Sequence, residues 1–396
     1  MSSAQNPRKR LIMLSTSYWD APLKFRRHKF AEIASRNDFD VFYVNPTFTL
    51  LSYFQDVDCR KIFFDFFKGA KHVTDHLKVI TMPPLLPFQK KSHTINIINR
   101  VIVKILLKIV LRKQMKDPSF VLMVYEPTDY YRLIKKDRTV VVYECVDDHS
   151  EYPFNEKIKD KIIEVEKKLI DQSDLLSVTS RYLLAKKKHL HANHILTPNG
   201  VDFNLFHSAM DAGTAMPADI AAIKSPVILY VGAVMEWFDY DLLIKIAAHN
   251  KDWNIVLIGP QTINHDLFKP HSNIHVLGVK HQSKLPGYLK KSTVCIIPFL
   301  VNDLVKGVNP LKLYEYLAAG KPIVSTALPD VLPFEKTHVV HIGKTHQEFI
   351  EHLNNLLKNA DGIGVMNERA DLAKAYSWEN IYDDLYSRIK VSMDKK

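Results

Sequence analysis

The stretch "GVNPLKLYEYLAAGKPIVST", residues 307–326, contains the start, the body and the end of one helix, followed by a strand. Asn309 is a preferred N-cap residue, and Pro310 suits the first helical position because its missing N–H would be unpaired there. Gly320 suits the left-handed position beyond the last turn. These signals predict a helix from Pro310 to Ala319. The apolar "PIVST" that follows predicts a buried strand, so the stretch is one unit of an α/β fold.

Short apolar runs alternate with amphipathic segments along most of the chain. The first series has predicted strands at 11–16, 40–45, 121–125, 141–146 and 175–180, with helices near 24–36 and 156–172. The second series has predicted strands at 227–233, 254–259, 274–278, 294–299 and 322–326. Such alternation is typical of parallel sheets covered on both faces. The sequence therefore predicts two doubly wound, Rossmann-like α/β domains that face a cleft.

A segment rich in Pro, Gly, Asn and Asp, residues 194–226, separates the two series. A chain of 396 residues is long enough for two domains, and we place their boundary near residue 205. The predicted domains are therefore 1–205 and 206–375. The remaining segment, 376–396, contains an amphipathic helix that is expected to cross back to the first domain.

The composition and charge limit the classes of protein to which the chain can belong. Hydrophobic residues make up 46% of the chain and charged residues 24%, as in a globular protein. Three widely spaced cysteines without a CxxC pair favour a reducing cytoplasm. No run of uncharged apolar residues is long enough to predict a membrane span or a signal-peptide core. The net charge of +11 favours an anionic partner such as a nucleotide, a phospholipid surface or a nucleic acid.

The start of the predicted helix is a candidate site for a phosphate. The strand at 294–299 leads into it, so the helix start is expected at the carboxyl edge of the sheet. Free N–H groups and the helix dipole attract anions there, and Lys312 and Lys306 add positive charge. Glu315 lies three residues beyond Lys312 on the same face, where it can accept hydrogen bonds from a ribose diol. The alternative is a capped surface helix with an exposed Lys–Glu pair and no ligand.

The stretch, together with five further segments in the same order, resembles glycosyltransferase family 4, which has the two-domain GT-B architecture. Within that family the chain is most similar to the TuaH-like group of sugar transferases of teichuronic acid biosynthesis. The five segments are "RRHKFAEIA" (26–34), "VVYECVDD" (141–148), "SDLLSVTS" (173–180), "TPNGVDFNLF" (197–206) and the run at 273–299 that ends in "VCIIPF". The resemblance implies that 206–375 bind a nucleotide-sugar donor and that 1–205 bind the acceptor.

The resemblance also assigns donor-binding residues, with two departures from the family pattern. Glu315 matches the second of the family's paired glutamates and is implied to hold the donor ribose, whereas the first falls on Gly307. The backbone N–H groups of the loop are then expected to contact the donor sugar; this loop comprises Val308, Asn309, Pro310 and Leu311.

The second departure concerns the loop "VGAVMEWFD" (231–239). Family members carry an Arg and a Lys shortly after the glycine that corresponds to Gly232, but this loop has Glu236, Trp237 and Asp239 instead. Lys312, with Lys306, is therefore expected to neutralise the diphosphate. No metal or other cofactor is required by this chemistry, since a fixed cationic pocket can stabilise the departing diphosphate.

The acceptor side is predicted from residues that follow strands of the first series. In "VDDH" (146–149), Asp148 or His149 can orient or deprotonate the acceptor hydroxyl, with Asp147 beside them; a polar loop in which Asp147 caps a turn is the alternative. Trp19 and Asp20 follow the first strand, where the family loop usually faces the cleft.

Basic residues open the next predicted helix. Arg26, Arg27 and His28 are expected to meet an anionic acceptor, with a solvated helix start as the alternative.

The segment 90–116 contains Lys and Arg but no acidic residue. Arg100, Lys104, Lys108 and Arg112 recur every four residues among Ile, Val and Leu, as in a helix at an anionic lipid surface. Aromatic and basic residues at 59–72 favour the same interpretation. The alternative is a helix packed on its sheet with a basic outer face.

Together these observations predict a nucleotide-sugar-dependent glycosyltransferase in bacterial cell-surface polysaccharide synthesis, cytoplasmic or peripheral on the inner face of the cell membrane. Its acceptor is a glycan or a lipid-linked glycan, and the resemblance implies retention of anomeric configuration. Two alternatives remain open, a nucleotide-sugar epimerase on the same scaffold and an inactive accessory or scaffold protein. Gly307 and the missing Arg–Lys pair favour the second alternative. A nucleic-acid partner is not expected, because no recognised reader module is present.

Overall fold

The computed structural model describes residues 8–21, 24–55, 57–88, 92–110, 119–261, 267–359 and 361–396. These residues divide into two compact units. The first unit comprises Met1–Val178, Leu184–Thr197 and Tyr382–Lys396, and the second comprises Thr179–Leu183 and Pro198–Ile381. The predicted boundary near residue 205 therefore falls inside the second unit.

Within the described residues, the first unit contains an eight-stranded sheet in the order β3-β4-β2-β1-β5-β6-β7-β8. Its strands are β1 (Lys9–Leu14), β2 (Phe39–Val44), β3 (Lys71–Thr74), β4 (Leu77–Ile80), β5 (Val121–Val124), β6 (Val140–Cys145), β7 (Leu175–Val178) and β8 (His194–Leu196). All neighbours pair in parallel except β3 and β4, which are antiparallel. The helices of this part of the chain are α1 (Arg26–Arg36), α2 (Leu50–Gln55), α3 (Val57–Phe67), α4 (His93–Val110), α5 (Lys159–Gln172) and α6 (Arg181–Lys187).

In the described part of the second unit, six parallel strands form a sheet in the order β11-β10-β9-β12-β13-β14. They are β9 (Val227–Val231), β10 (Asn254–Ile258), β11 (Ile274–Gly278), β12 (Val294–Ile297), β13 (Ile323–Thr326) and β14 (Val340–Gly343). The remaining helices are α7 (Phe203–His207), α8 (Ala218–Ala221), α9 (Tyr240–His249), α10 (Leu285–Lys291), α11 (Asp303–Lys306), α12 (Leu311–Ala318), α13 (His346–Lys358), α14 (Ile363–Lys374) and α15 (Trp378–Asp394).

The prediction of two doubly wound parallel sheets is confirmed, and every predicted strand is present within a few residues of its expected bounds. Strands β9 and β12 are fully buried, as their unbroken apolar sequences require in a sheet with both faces covered. The sequence patterns did not reveal β3, β4, β8 and β14. These strands are three or four residues long, and β3 is exposed along its whole length, so they lack a continuous apolar run.

Each sheet has one point at which the order of strand addition reverses. In the first unit the chain builds outward from β1 through β2, and then outward on the other side from β5. In the second unit the same reversal lies between β9 and β12. Crevices at the carboxyl ends of the strands beside such switch points are the usual ligand-binding positions of open α/β sheets. The residues that follow β1, β5, β9 and β12 are therefore the first candidates for a functional site.

Candidate active site

Helix α12 begins at the carboxyl edge of the second sheet, after β12 and the short helix α11. Its cap residue is Pro310 rather than Asn309, and no side chain caps it. The predicted N-cap role of Asn309 was therefore wrong, and the helix is one residue shorter at each end than expected. Gly320 has a φ of 66°, which confirms its predicted left-handed position beyond the helix.

Asn309 instead fixes the loop that precedes α12. It is 4% exposed, and its side-chain oxygen accepts a hydrogen bond from the backbone N–H of Asn199 at 2.8 Å. Its side-chain nitrogen donates to the hydroxyl of Tyr314 at 3.0 Å and to Asp330 at 2.7 Å. Sequence reasoning missed Asn199 and Asp330, although Asn199 lies in the quoted segment "TPNGVDFNLF". The loop is thus held by buried side chains before any ligand binds.

Lys312 and Glu315 form an ion pair on the first turns of α12, with the Lys Nζ 2.7 Å from the Glu Oε2. The side chain of Glu315 is only 8% exposed and that of Lys312 is 21% exposed. The pair is therefore not the solvated surface pair of the ligand-free interpretation. Tyr316 anchors the same helix beneath the switch point, because its hydroxyl accepts a hydrogen bond from the backbone N–H of Val231 at the end of β9.

The loops that follow β9 and β12 are tied to each other. The backbone N–H of Leu300 donates to the carbonyl of Trp237, and that of Asp239 donates to the carbonyl of Pro298, both at 2.8 Å. Gly232 leaves room for Tyr230, since a Cβ at this position would lie 2.6 Å from the tyrosine hydroxyl oxygen and would force that side chain to move. Glu236 is exposed. The loop 231–239 contains no Lys or Arg, so the cations of this edge come from other elements.

The residues between α11 and α12 offer fewer ligand contacts than the sequence predicts. Lys306 is paired with Asp303 at 2.9 Å, and Gly307 closes α11 in a right-handed helical conformation. The N–H of Val308 donates to the carbonyl of Val305, and Pro310 has no N–H. Two of the four positions from 308 to 311 therefore cannot donate a backbone hydrogen bond to a donor sugar.

A cavity of about 670 Å³ lies in the first unit, at the carboxyl ends of β1 and β5. Its polar lining includes hydroxyls, an imidazole and charged groups of both signs, and one wall is apolar. The lining residues are Thr16, Ser17, Phe25, Arg27, Thr47, Asn96, Glu126, Pro127, Thr128, Asp129, Tyr130, Val146, Asp147, His149, Tyr152, Asn155, Ile158, Lys161, Ile162 and Val165. This mixture of hydroxyl, aromatic and charged groups is suited to a polar ligand of sugar size.

Asp148 does not face this cavity, contrary to its predicted catalytic role. It is 1% exposed and accepts hydrogen bonds from Lys186 at 2.6 Å and from Ser150 at 2.9 Å. Burial alone would raise the pKa of Asp148, but the hydrogen bond from Lys186 and the charge of Lys187 hold it below its usual value. Asp148 is therefore a structural anion that fixes the loop after β6.

Asp147 and His149, on either side of Asp148, both line the cavity. The Nε2 of His149 lies 3.2 Å from the backbone carbonyl of Tyr125, which orients the ring. Asp147 and His149 therefore remain candidates for the acceptor side, and their roles there stay predictions. Among the described residues, no group of three or more His, Cys, Asp and Glu side chains is arranged to hold a metal ion.

The other predicted acceptor residues are structural. Arg26 is 3% exposed and forms a buried ion pair with Glu144 at 2.6 Å, so it does not reach the cavity. Trp19 is 5% exposed and packs against His28 and Tyr43. Asp20 is exposed and pairs with Lys71 at 2.7 Å. None of these three residues lines the cavity and each contacts protein partners of its own, so the structure gives no support to their predicted acceptor role.

The predicted lipid-binding segment forms α4, which begins at His93 and ends at Val110. Val103 and Leu107 are buried against the unit. Its outer face carries Lys104 and Lys108 together with large apolar side chains that are 42–63% exposed, namely Ile97, Ile98, Val101, Ile105 and Ile109. Arg112 lies outside the described residues, and Arg100 is paired with Asp129. No described helix is long and apolar enough to cross a membrane.

Comparison with known proteins finds a family match within the second unit. The family described as "Glycosyl transferases group 1" matches residues 225–359, which include Lys312 and Glu315. The "Putative teichuronic acid biosynthesis glycosyltransferase TuaH" of Bacillus subtilis (strain 168) is 25% identical over 227 residues, which cover 55% of this chain and 57% of that protein. The match thus spans a little over half of the relative's own length.

Solved structures resemble the whole chain. Sucrose-phosphate synthase from Thermosynechococcus elongatus has a TM-score of 0.71 at 14% identity and covers 98% of this chain and 100% of its own. The E. coli structure described as trehalose-6-phosphate bound with UDP-2-fluoro glucose has a TM-score of 0.69 at 11% identity, with coverage of 96% and 99%. At such identities the likeness establishes the fold alone. The chain therefore has the GT-B fold, and its residues 225–359 match the family described as "Glycosyl transferases group 1".

Proposed function

We propose that this protein is a glycosyltransferase that moves a sugar from a nucleoside-diphosphate donor to a glycan or lipid-linked glycan in the synthesis of a cell-surface polysaccharide. The family domain and the teichuronic acid relative support the reaction class and the pathway class. The observation that carries the proposal is the largely buried Lys312–Glu315 pair at the start of α12, beside the switch point of the sheet.

The pair supplies the two contacts that a nucleoside diphosphate needs. Lys312 lies in the first turn of α12, where its charge adds to the positive end of the helix dipole and attracts the diphosphate. Glu315, one turn further along, accepts hydrogen bonds from the ribose hydroxyls. Ligand binding would exchange part of the Lys312–Glu315 contact for these new contacts. The buried Asn309 holds the helix start in place throughout.

The chemistry follows from the charge that develops in sugar transfer. The anomeric C–O bond breaks through an oxocarbenium-like state, and negative charge accumulates on the departing diphosphate. Lys312 and the N-terminus of α12 stabilise the diphosphate more strongly in the transition state, where it carries more negative charge than in the bound donor. This difference lowers the activation barrier of the transfer. In the first unit, Asp147 and His149 orient the acceptor hydroxyl. The configuration of the product is proposed to be retained.

A turnover assay tests the proposal against its alternatives. The full chain is incubated with uridine, guanosine and thymidine diphosphate sugars, with and without an extract of glycans and lipid-linked glycans. A transferase releases nucleoside diphosphate and forms a glycosylated product only when acceptor is present. An epimerase converts the donor sugar without acceptor. Donor binding without any product across the panel would contradict the proposal and favour an inactive accessory protein, which the lack of Arg and Lys in the loop 231–239 supports.

We further propose that the first unit attaches to an anionic membrane surface through α4. A helix that only packed on its sheet would present a polar outer face, but α4 exposes five large aliphatic side chains beside Lys104 and Lys108. Phe54, Phe64 and Phe67 of α2 and α3 are also exposed, at 71, 56 and 68%. Apolar groups flanked by lysines complement the interface of a bilayer with anionic headgroups. The protein would then act at the inner face of the cell membrane.

Co-sedimentation with phosphatidylglycerol vesicles tests this attachment. The full chain is expected to sediment with anionic vesicles at low salt and to bind neutral phosphatidylcholine vesicles at least tenfold more weakly. Ile105→Ser with Ile109→Ser should weaken binding, whereas Ile163→Ser, a change at an exposed isoleucine of α5, should not. If the double variant and the control variant sediment equally with the vesicles, the assignment of membrane attachment to α4 is contradicted.

A further inference from the structure

Arg27 lines the first-unit cavity and forms no ion pair with any described residue. Its Nε is buried and has no hydrogen-bond partner in the protein. The guanidinium lies over the rings of Phe25 and Tyr125, 5.8 and 5.5 Å from their centroids. Its neighbour Arg26 shows the contrast, because Glu144 neutralises that guanidinium completely within the fold. A buried donor without an acceptor is unfavourable, so its retention beside a cavity suggests a ligand.

The aromatic rings hold the guanidinium in place without consuming its charge. A cation over an aromatic face is attracted by the ring quadrupole, while its N–H groups remain in the plane of the guanidinium and available to an acceptor. The planar fork of N–H groups matches a carboxylate or a phosphate better than it matches a neutral hydroxyl. Arg27 is therefore positioned to bind an oxyanion.

The charged groups around the cavity do not supply that anion. Three acidic residues line the cavity, Glu126, Asp129 and Asp147, and none of them forms an ion pair with Arg27. Asp129 is paired with Arg100 instead, and Glu126 has other partners. Lys161 adds a second cation to the lining.

The start of helix α1 adds to the preference for an anion. Arg27 is the second residue of α1, so its side chain and the first free N–H groups of the helix occur on the same turn. The positive end of the helix dipole favours a negative charge at this turn. The hydroxyl residues Thr16 and Ser17, which follow β1, line the same cavity and can bind the rest of a sugar.

We infer that the acceptor carries an oxyanion, a phosphate or a carboxylate, and that Arg27 binds this group in the cavity of the first unit. This inference rests on the proposed function for the role of the ligand as acceptor. It names the class of acceptor, an acidic sugar or a sugar phosphate, and it makes Arg27 a residue that determines acceptor specificity.

Titration of the full chain with three small probes tests the inference without donor or turnover. Glucuronate supplies the carboxylate, glucose 1-phosphate supplies the phosphate, and methyl glucoside is the neutral match. Binding is followed by NMR of each probe at low and high salt. At least one anionic probe is expected to bind about tenfold more tightly than methyl glucoside, and Arg27→Gln should remove that preference. The stronger of the two anionic probes identifies the oxyanion.

Two controls make the result specific to Arg27. Arg138→Gln removes an exposed arginine at the amino end of β6, on the opposite edge of the sheet, and should leave the preference unchanged. Arg27→Lys keeps the charge but not the fork, and should retain part of the preference. If Arg27→Gln does not fold, Arg27→Lys and the wild-type preference decide the test.

The inference is overturned if neither anionic probe binds more tightly than methyl glucoside, or if Arg27→Gln keeps the full preference. The outcome is separate from that of the turnover assay. A chain that transfers sugar but shows no preference dependent on Arg27 loses only this inference. A chain with the preference but without nucleotide-sugar turnover keeps the anion site and loses the proposed function.

Discussion

The two units have their switch points at the same position of the sheet but place charged residues there in different ways. In the first unit, most of the charged residues that follow the strands are paired inside the protein, as in Arg26–Glu144 and Asp148–Lys186. In the second unit, the charged pair Lys312–Glu315 lies on the first turns of a helix that starts at the edge itself. All three are ion pairs, but only Lys312–Glu315 joins neighbouring turns at a helix start, where we propose that a ligand competes for both partners.

This difference shows why a polar motif after a strand is weak evidence for a catalytic role. The sequence "VDDH" predicts a cluster of acidic and basic catalytic groups. In the structure, burial and Lys186 make Asp148 a structural anion, whereas its two neighbours line the cavity. Within this motif the roles differ because Asp147 and His149 line the cavity, whereas Asp148 is 1% exposed and bound to Lys186. The predictions below test that distinction in decreasing order of expected effect.

The largest effect is expected at the donor edge. Lys312→Gln removes the cation that stabilises the departing diphosphate, and kcat/KM should fall by about 10²–10³-fold. Lys245→Gln is the matched control, because Lys245 is also paired with an acidic residue on a helix of the same unit but is exposed. Steady-state assays of nucleotide release check both variants. A fall of less than threefold for Lys312→Gln would contradict the role of Lys312 at the diphosphate.

The next effect concerns His28, which is buried among Trp19 and Tyr43 in the first unit. Burial lowers the pKa of His28 to about 4, although its hydrogen bond to the Tyr18 carbonyl opposes the shift. Between pH 6.5 and 4 the unfolded chain binds a proton that the folded chain excludes, so stability falls as pH falls through this window. The loss amounts to about 3.5 kcal/mol at most, at about 1.4 kcal/mol per pKa unit.

Denaturant unfolding at a series of pH values checks this prediction. His28→Gln cannot titrate, so the difference between the two proteins should change across the window and be constant above it. If the free energy of unfolding changes with pH in the same way for the wild type and the variant, His28 does not titrate as its burial requires.

A smaller effect separates Asp148 from Asp147. Asp148→Asn weakens a buried ion pair whose lysine is 40% exposed, so the free energy of unfolding should fall by about 2 kcal/mol. Asp147→Asn should leave stability unchanged and reduce kcat by about tenfold, since it removes an acceptor contact. Thermal unfolding and kinetics on both variants measure the two effects. An opposite assignment, with Asp148→Asn stable and inactive, would restore the original interpretation of the motif.

The smallest effect is expected at Asn309. Asn309→Ala removes hydrogen bonds to Asn199, Tyr314 and Asp330, at a cost of about 1–2 kcal/mol in stability. Nucleotide binding should weaken because the helix start is less well held. Asn359→Ala, at an exposed asparagine after α13, is the control and should change neither quantity. Unchanged nucleotide affinity in Asn309→Ala would remove the loop from the donor site.

The sequence predicts the fold well because buried parallel strands leave an unmistakable apolar run. It predicts Lys312 and Glu315 as a pair because their spacing on one helix face is a local property. It does not predict the partners of Arg26, Asp148 or Asn309, since these contacts join residues that are distant in the chain. The cavity role of Arg27 was hidden for the same reason. Adjacent arginines look alike in sequence, and only Glu144 on β6 separates a structural arginine from an available one.

The central claim is that the start of α12 binds the diphosphate and ribose of the donor. Calorimetric titration of the full chain with uridine, guanosine and thymidine diphosphates, repeated on Lys312→Ala, Glu315→Ala and the control Lys245→Ala, tests it most directly. The account predicts that one nucleotide class binds to the wild type and the control, and that binding is lost in both α12 variants. Failure of the folded wild type to bind any nucleotide, or equal binding by both α12 variants and the control, would contradict it.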